Sequence, residues 1–290
     1  MPDIKNSNYL VILLASSAYF MFVMMDSLVK HLTQTVNVDQ LIWGRYFFHF
    51  LSMLIYFLIF KPKMDLKRNF KLQIARSSLL VLGTTLMFIS LKYFSLVDIY
   101  VLFFAAPLIL ALLSAIFLKD NLSVMGWILM ILSFVSIAFS IGPSMKTFTP
   151  LLIIPFMIPV FWASYQFLTK LISTNREPFV AVFYSGIVGS IVFSLYTYMH
   201  WVSFNSNFVW LQLFVLGAIG FISHLILVYA IQLSNLSFVA NFQYSQLVWS
   251  SIIGYLIFGT YIETSRLLGI AAIIVFGILF IKFELSKKLN

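Results

Sequence analysis

The chain has 290 residues, 62% of them apolar and 9% charged, with a formal net charge of +9 and no cysteine. A water-soluble globule needs more polar covering than this, and a disordered chain needs the opposite composition. Without thiols there are no disulfide frameworks, thiolate metal sites or cysteine nucleophiles, and the composition predicts an all-α integral membrane protein.

A helix crossing the hydrocarbon core of a bilayer needs about 20 apolar residues. Apolar stretches bounded by charges, prolines and polar clusters give ten transmembrane helices, over 9–30, 40–60, 76–92, 97–118, 123–141, 151–170, 179–201, 209–231, 237–258 and 267–283. The first contains the small-residue run Ala15-Ser16-Ser17-Ala18. A cleaved leader is rejected, because the helical pattern continues through Phe20 to Val29. Near its end lies Asp26, at about the depth of Arg45 in the second span, so the two can pair, with Lys30 competing for the carboxylate. A structural ion pair and a pair that breaks as solute or proton arrives stay open as alternatives. His49, one turn from Arg45, shares its face and is a candidate coupling group or a packing histidine. The third span is the shortest, pinned between Arg76 and Lys92, whose side chains are expected to snorkel to opposite interfaces.

In the fourth span, Tyr100, Phe103, Phe104 and Pro107 form an aromatic stretch ending in a proline. Pro107 frees a backbone carbonyl beside Phe103, which in lipid must find a neighbouring donor or cavity water. In the sixth, Trp162, Tyr165 and Gln166 lie at i, i+3, i+4 and present an aromatic and amide face. The eighth carries Ser223-His224. The ninth is too polar to face acyl chains: Asn241, Tyr244 and Ser245 fall on or beside one stripe, with Trp249 a turn further. These groups suit an organic solute, although hydrogen bonding between helices accounts for some of them.

Orientation follows from the basic residues. Thirteen Lys and Arg, including Lys61, Lys63, Lys67, Arg68 and Lys71, fall on one side, and four (Lys30, Lys92, Lys146 and Arg266) on the other. Both termini are therefore expected in the cytoplasm, and the positive charge is a topology signal, with no nucleic-acid partner implied.

The halves superpose at an offset of 139 to 140 residues: Met25 to Lys30 on Tyr165 to Lys170, Trp43-Gly44-Arg45 on Phe183-Tyr184-Ser185, Ser95 on Ser234, and Thr84-Thr85 on Ser223-His224. The expected units are residues 1–145 and 146–290. Five spans per unit is odd, so the second copy enters from the opposite face, giving two inverted five-helix repeats and the architecture of alternating access.

Asp26-Ser27-Leu28-Val29-Lys30-His31-Leu32, Ile42-Trp43-Gly44-Arg45, Ser90 to Asp98, Ala106-Pro107-Leu108 and Phe258-Gly259-Thr260, in this order, resemble the drug/metabolite transporter superfamily, EamA type. The resemblance spans nearly the whole chain and is almost silent on substrate. It implies that the third, fourth, eighth and ninth helices surround a central cavity, which makes His224 either a titratable group near the solute or a packing histidine satisfied by a neighbouring hydroxyl. It also implies carriage of small metabolites across the inner membrane. Family members commonly carry a glutamate after the glycine ending the fourth and ninth spans; here those places read Lys119-Asp120 and Gly259-Thr260, so that position receives no role.

No phosphate-binding loop or clustered acids appear, so the expectation is a gradient-driven carrier rather than an ATPase or enzyme, without cofactor or metal. Its partners are a small amino-acid-like, nucleoside-like or amphipathic solute, the bilayer, and the proton as candidate coupling ion. It acts as a monomer or weak homodimer. A channel or lipid scramblase on the same fold is the main alternative, an integral-membrane transferase the lesser one. The candidate binding set is Arg45, Phe103, Pro107, Trp162, Tyr165, Gln166, His224, Asn241, Tyr244, Ser245 and Trp249. The candidate coupling set is Asp26, Arg45 and His49.

Overall fold

The structure, a computed structural model, describes residues 4–117, 123–141, 150–172, 178–234 and 236–289. The described elements are all helical: α1 (Ile4–Leu32), α2 (Val38–Phe60), α3 (Phe70–Tyr93), α4 (Leu96–Phe103), α5 (Ala105–Phe117), α6 (Val124–Ser140), α7 (Ile153–Ile172), α8 (Pro178–Met199), α9 (Phe208–Leu233), α10 (Leu236–Asn241), α11 (Ser245–Phe258) and α12 (Thr264–Leu289). They make ten spans. Among the described residues, seven are long and apolar enough to cross a membrane by themselves, α4 and α5 counting as one. Two more, Val124–Ser140 and Arg266–Phe280, are shorter apolar helices. The ninth span is divided into α10, a 3-10 turn over Phe242–Tyr244, and α11. An even number of spans brings the start of α1 and the end of α12 to one face of the bundle, called here the terminal face, and the other is the distal face. Lys119 and Asp120 lie outside the described residues.

Three polar groups stand differently from the sequence expectation. The third span is not short: α3 has 24 residues, and Arg76 lies inside it, fully buried rather than snorkelling. Its guanidinium donates to Thr169 (3.4 Å), to Ser185 (2.8 Å) and to the Ala181 carbonyl. Acceptors on α7 and α8 replace the water that the side chain would otherwise seek. Lys30 does not compete for Asp26; its ammonium donates to the carbonyls of Leu91 (2.7 Å) and Phe94 (2.8 Å) at the end of α3. Arg266, assigned to a distal loop, is buried at the start of α12, where it pairs with Asp98 and donates to the Ser140 carbonyl (3.0 Å).

The inverted duplication is visible in hydrogen bonds. Lys170, one repeat on from Lys30, donates to the carbonyls of Ile231 (3.1 Å) and Ser234 (2.7 Å) at the end of α9. The last carbonyls of a helix lack donors and carry its negative end, so one lysine closes the same helix in each copy, on opposite faces. The helix breaks are paired too. The fourth span breaks at Phe104 and the ninth at Phe242–Tyr244, and the Phe104 and Tyr244 rings stack at 5.1 Å and 8°.

Packing of the two copies runs along two related seams. At the α2/α9 seam, a Cβ on Gly217 would meet the His49 backbone nitrogen at 2.6 Å, and one on Gly44 would meet Leu213 at 2.7 Å. Only glycine lets these helices come so close. At the equivalent α3/α8 seam, in the 140-residue register that pairs Leu91 with Ile231 and is one residue off the sequence superposition of Thr84-Thr85 on Ser223-His224, the counterpart of Gly217 is Ser77, which faces Ser185 at 3.4 Å between their hydroxyls.

Candidate functional site

A cavity lies between the repeats. Its wall begins on α1, where Phe22 and Asp26 stand one turn apart with Met25 beside them. α2 adds Arg45. α3 adds a helical stripe, Leu80, Gly83, Thr84 and Met87, and the missing Cβ at Gly83 lets Phe161 of α7 approach, at 3.4 Å from where that atom would lie. α4 contributes Tyr100 and Phe103, α7 Ile158 and Trp162, α9 His224 and α11 Gln246. Seven spans, drawn from both copies, meet here.

Five of the sixteen lining residues are aromatic: Phe22, Phe88, Tyr100, Phe103 and Trp162. Trp162 packs edge-on against Phe22 at 5.5 Å and lies 5.6 Å from Phe103, which meets Tyr100 at 5.8 Å. His224 closes the group, 4.8 Å from the Phe22 ring, with Nδ1 3.2 Å from the Tyr165 hydroxyl. Flat rings in edge-to-face array, with the Met25 and Met87 thioethers, form a surface for a planar solute or an organic cation.

Two charges face this apolar wall without satisfying each other. Asp26 accepts from the Tyr100 hydroxyl at 2.7 Å through Oδ2, and its Oδ1 has no hydrogen-bond partner. None of the three Arg45 guanidinium nitrogens makes a hydrogen bond, although the side chain is fully buried; it rests over the Tyr46 ring at 4.3 Å. The expected Asp26–Arg45 ion pair is therefore not formed. Tyr100, which reaches Asp26 from α4, takes the place of the arginine. A buried charge lacking partners costs several kcal/mol unless a ligand supplies them. The site can therefore offer a carboxylate oxygen and a guanidinium fork to one zwitterionic molecule.

Behind the rings runs an amide network. Gln243 accepts from Trp162 Nε1 (3.2 Å) and Gln166 Nε2 (3.4 Å), and donates to the Phe103 carbonyl at 3.2 Å. That carbonyl is the one Pro107 deprives of its helical donor, so the ninth-span break satisfies the fourth-span break.

Of the sequence-derived binding set, Arg45, Phe103, Trp162 and His224 line the cavity, together with Asp26 from the coupling set. Tyr165 and Gln166 stand behind it, bonded to His224 and Gln243. Four others lie elsewhere. Pro107 acts through the Phe103 carbonyl. Tyr244 stacks on Phe104 and covers Gly277 of α12. Ser245 donates to the Phe242 carbonyl at 2.6 Å. Trp249 is 36% exposed and packs on Phe20 at 4.9 Å, on the outer surface of the bundle. The Asn241 side chain lies outside the described residues. His49 faces α8, with Nε2 3.4 Å from the Val182 carbonyl. Sequence reasoning passed over Gln246 and Gln243: a uniform helical stripe was drawn through the ninth span, and the 3-10 turn, with 3.0 rather than 3.6 residues per turn, shifts that register.

The sequence profile of the EamA-like transporter family matches residues 9–142 and again 150–283. The chain belongs to this family. Relatives in the same family include proteins named S-adenosylmethionine uptake transporter from Rickettsia conorii, 28% identical over 284 residues (97% of this chain and 93% of that one), and from Rickettsia bellii, 27% identical over 284 residues (97% and 94%). A protein named riboflavin transporter from Vibrio cholerae is 26% identical over 187 residues, covering 64% of this chain and 62% of its own length. One solved crystal structure, 15% identical, aligns over 98% of this chain and 99% of its own with a TM-score of 0.65, which shows the same fold. This EamA chain is thus a multi-pass membrane transporter for a small metabolite.

Proposed function

We propose that this EamA transporter carries an amino-acid-bearing nucleoside, of the S-adenosylmethionine type, by alternating access of the chamber between the units 1–145 and 146–290. The observation that carries the reading is the pair of unsatisfied charges in an aromatic wall. Arg45 would take the solute carboxylate through a two-pronged hydrogen bond. The free Asp26 oxygen would take its ammonium group. Phe22, Trp162 and Phe103 would hold the base and the sulfonium. The names of the Rickettsia relatives agree with this chemistry, whereas riboflavin would use the rings but offer no carboxylate to Arg45.

Transport would be driven by a gradient, with the proton as coupling ion and Asp26 or His224 as its carrier. The basic run at 61–71 supports a cytoplasmic terminal face and a home in the inner membrane. The chamber is complete within one chain, so a monomer suffices. Counterflow in proteoliposomes separates a carrier from a channel. Vesicles preloaded with unlabelled S-adenosylmethionine should accumulate labelled solute transiently above equilibrium. Methionine and adenosine should compete weakly, and Arg45→Gln should abolish the overshoot while the protein stays folded. Plain equilibration without overshoot would point to a channel.

A further inference from the structure

A second cavity opens on the terminal face between α3, α7, α8 and α9. Its mouth is exposed at Arg68 and Asn69, and its floor is Arg76 and Gln73, both buried. Three polar atoms there lack hydrogen-bond partners: Arg76 Nε, Gln73 Oε1 and Gln232 Oε1. A buried polar group without a partner is costly, and three around one cavity leave hydrogen-bonding capacity that a ligand or water can fill. Two arginines outweigh the one acid at the mouth, Asp65, whose carboxylate accepts the backbone N–H groups of Lys67 (3.2 Å) and Arg68 (3.3 Å).

Tyr165 stands between Arg76 of this cavity and His224 of the central chamber. On one side the Arg76 guanidinium lies 5.0 Å from its ring centre; on the other its hydroxyl is 3.2 Å from His224, which lines the chamber. Thr169, on the cavity floor, accepts from Arg76 and donates to the Tyr165 carbonyl at 2.7 Å. The arginine is thus braced against Tyr165.

We propose that the terminal-face cavity is a second binding station for the carboxylate of the solute, with Arg76 as its cation and Tyr165 as the partition between the two stations. A solute leaving Arg45 would pass its carboxylate to Arg76 when the Tyr165 ring moves aside, so that the anionic group is not left unpaired in a low-dielectric passage. The identity of the solute rests on the chamber reading; the anion preference of the cavity does not.

The chain has no cysteine, so a single Gln232→Cys change gives one reactive thiol in the cavity. In neutral micelles, its rates with an anionic sulfonatoethyl and a cationic trimethylammonioethyl methanethiosulfonate, each normalised to 2-mercaptoethanol, should favour the anion by roughly tenfold. Adding Arg76→Gln should bring the ratio near one, and Arg76→Lys should keep most of it. Should Arg76→Gln fail to fold, Gln73→Glu is expected to lower the ratio likewise. A normalised ratio at or below one in the single-thiol protein overturns the proposal. So does a ratio that disappears only in phosphatidylglycerol bilayers and not in phosphatidylcholine, which would assign the cavity to lipid phosphate. Arg45→Gln should leave the ratio unchanged, so failure of the chamber reading and failure of the second station are separately visible.

Discussion

The two seams between the repeats occupy equivalent places and are built differently. α2 and α9 meet on the distal side through Gly44 and Gly217, close enough that a single methyl group would collide with backbone or core. α3 and α8 meet on the terminal side through Ser77, Ser185 and the buried Arg76, and an open cavity lies beside them. The repeat partner of Arg45 is Ser185, and that of Gly217 is Ser77. Each seam therefore carries one arginine, but on opposite members of the pair. An exactly symmetric pair of repeats would have two equal seams; this sequence makes one tight through glycine contacts and the other polar, with a cavity beside it.

The largest effect should come from filling the tight seam. Gly217→Leu would drive a side chain into Phe48 and His49, costing about 1–3 kcal/mol or more and abolishing counterflow; unchanged melting and transport would show that the seam does not need its glycine. Next comes the chamber cation. Arg45→Gln should weaken solute binding by roughly 10- to 100-fold, the worth of a charge-assisted hydrogen bond, while thermal stability holds or rises because no hydrogen bond within the protein is lost. Calorimetric titration and melting in detergent measure the two quantities.

The paired lysine caps sharpen the symmetry. Lys30→Met and Lys170→Met should each lower stability by about 1 kcal/mol, and by similar amounts, since each removes two bonds to helix carbonyls. A marked inequality would mean that the repeats are not energetically equivalent at their helix ends. The smallest effect is at the looser seam. Ser77→Gly should cost about 0.5 kcal/mol in helix propensity and let α3 approach α8, slowing thiol labelling of the Gln232→Cys protein from the terminal face.

The architecture was legible because its causes are local in sequence: ten apolar runs, odd parity in each half, and recurring pairs such as Lys30 with Lys170. Arg45, Asp26 and His224 stand out in the sequence because ionisable groups are costly to bury in lipid, and all three line the central cavity. The remaining site depends on long-range placement. Nothing near Asp26 in sequence indicates that Tyr100 rather than Arg45 would hold its carboxylate. Arg76 looked like an interfacial snorkelling residue because its acceptors lie on α7 and α8, more than ninety residues away. The polar neighbourhood of Trp249 in sequence suggests a cavity aromatic, whereas the register change at Phe242–Tyr244 turns its ring outward onto Phe20.

Alternating access would require the two seams to open in turn around the chamber. Double electron–electron resonance on the naturally thiol-free chain can follow both, with spin labels on Asn37→Cys and Asn207→Cys for the α2/α9 seam, and on Asn69→Cys and Pro178→Cys for the α3/α8 seam. On adding transported solute in bilayers, the two distance distributions should shift in opposite directions, one lengthening as the other shortens. Distances that stay fixed, or that lengthen together, would contradict alternating access in this chain.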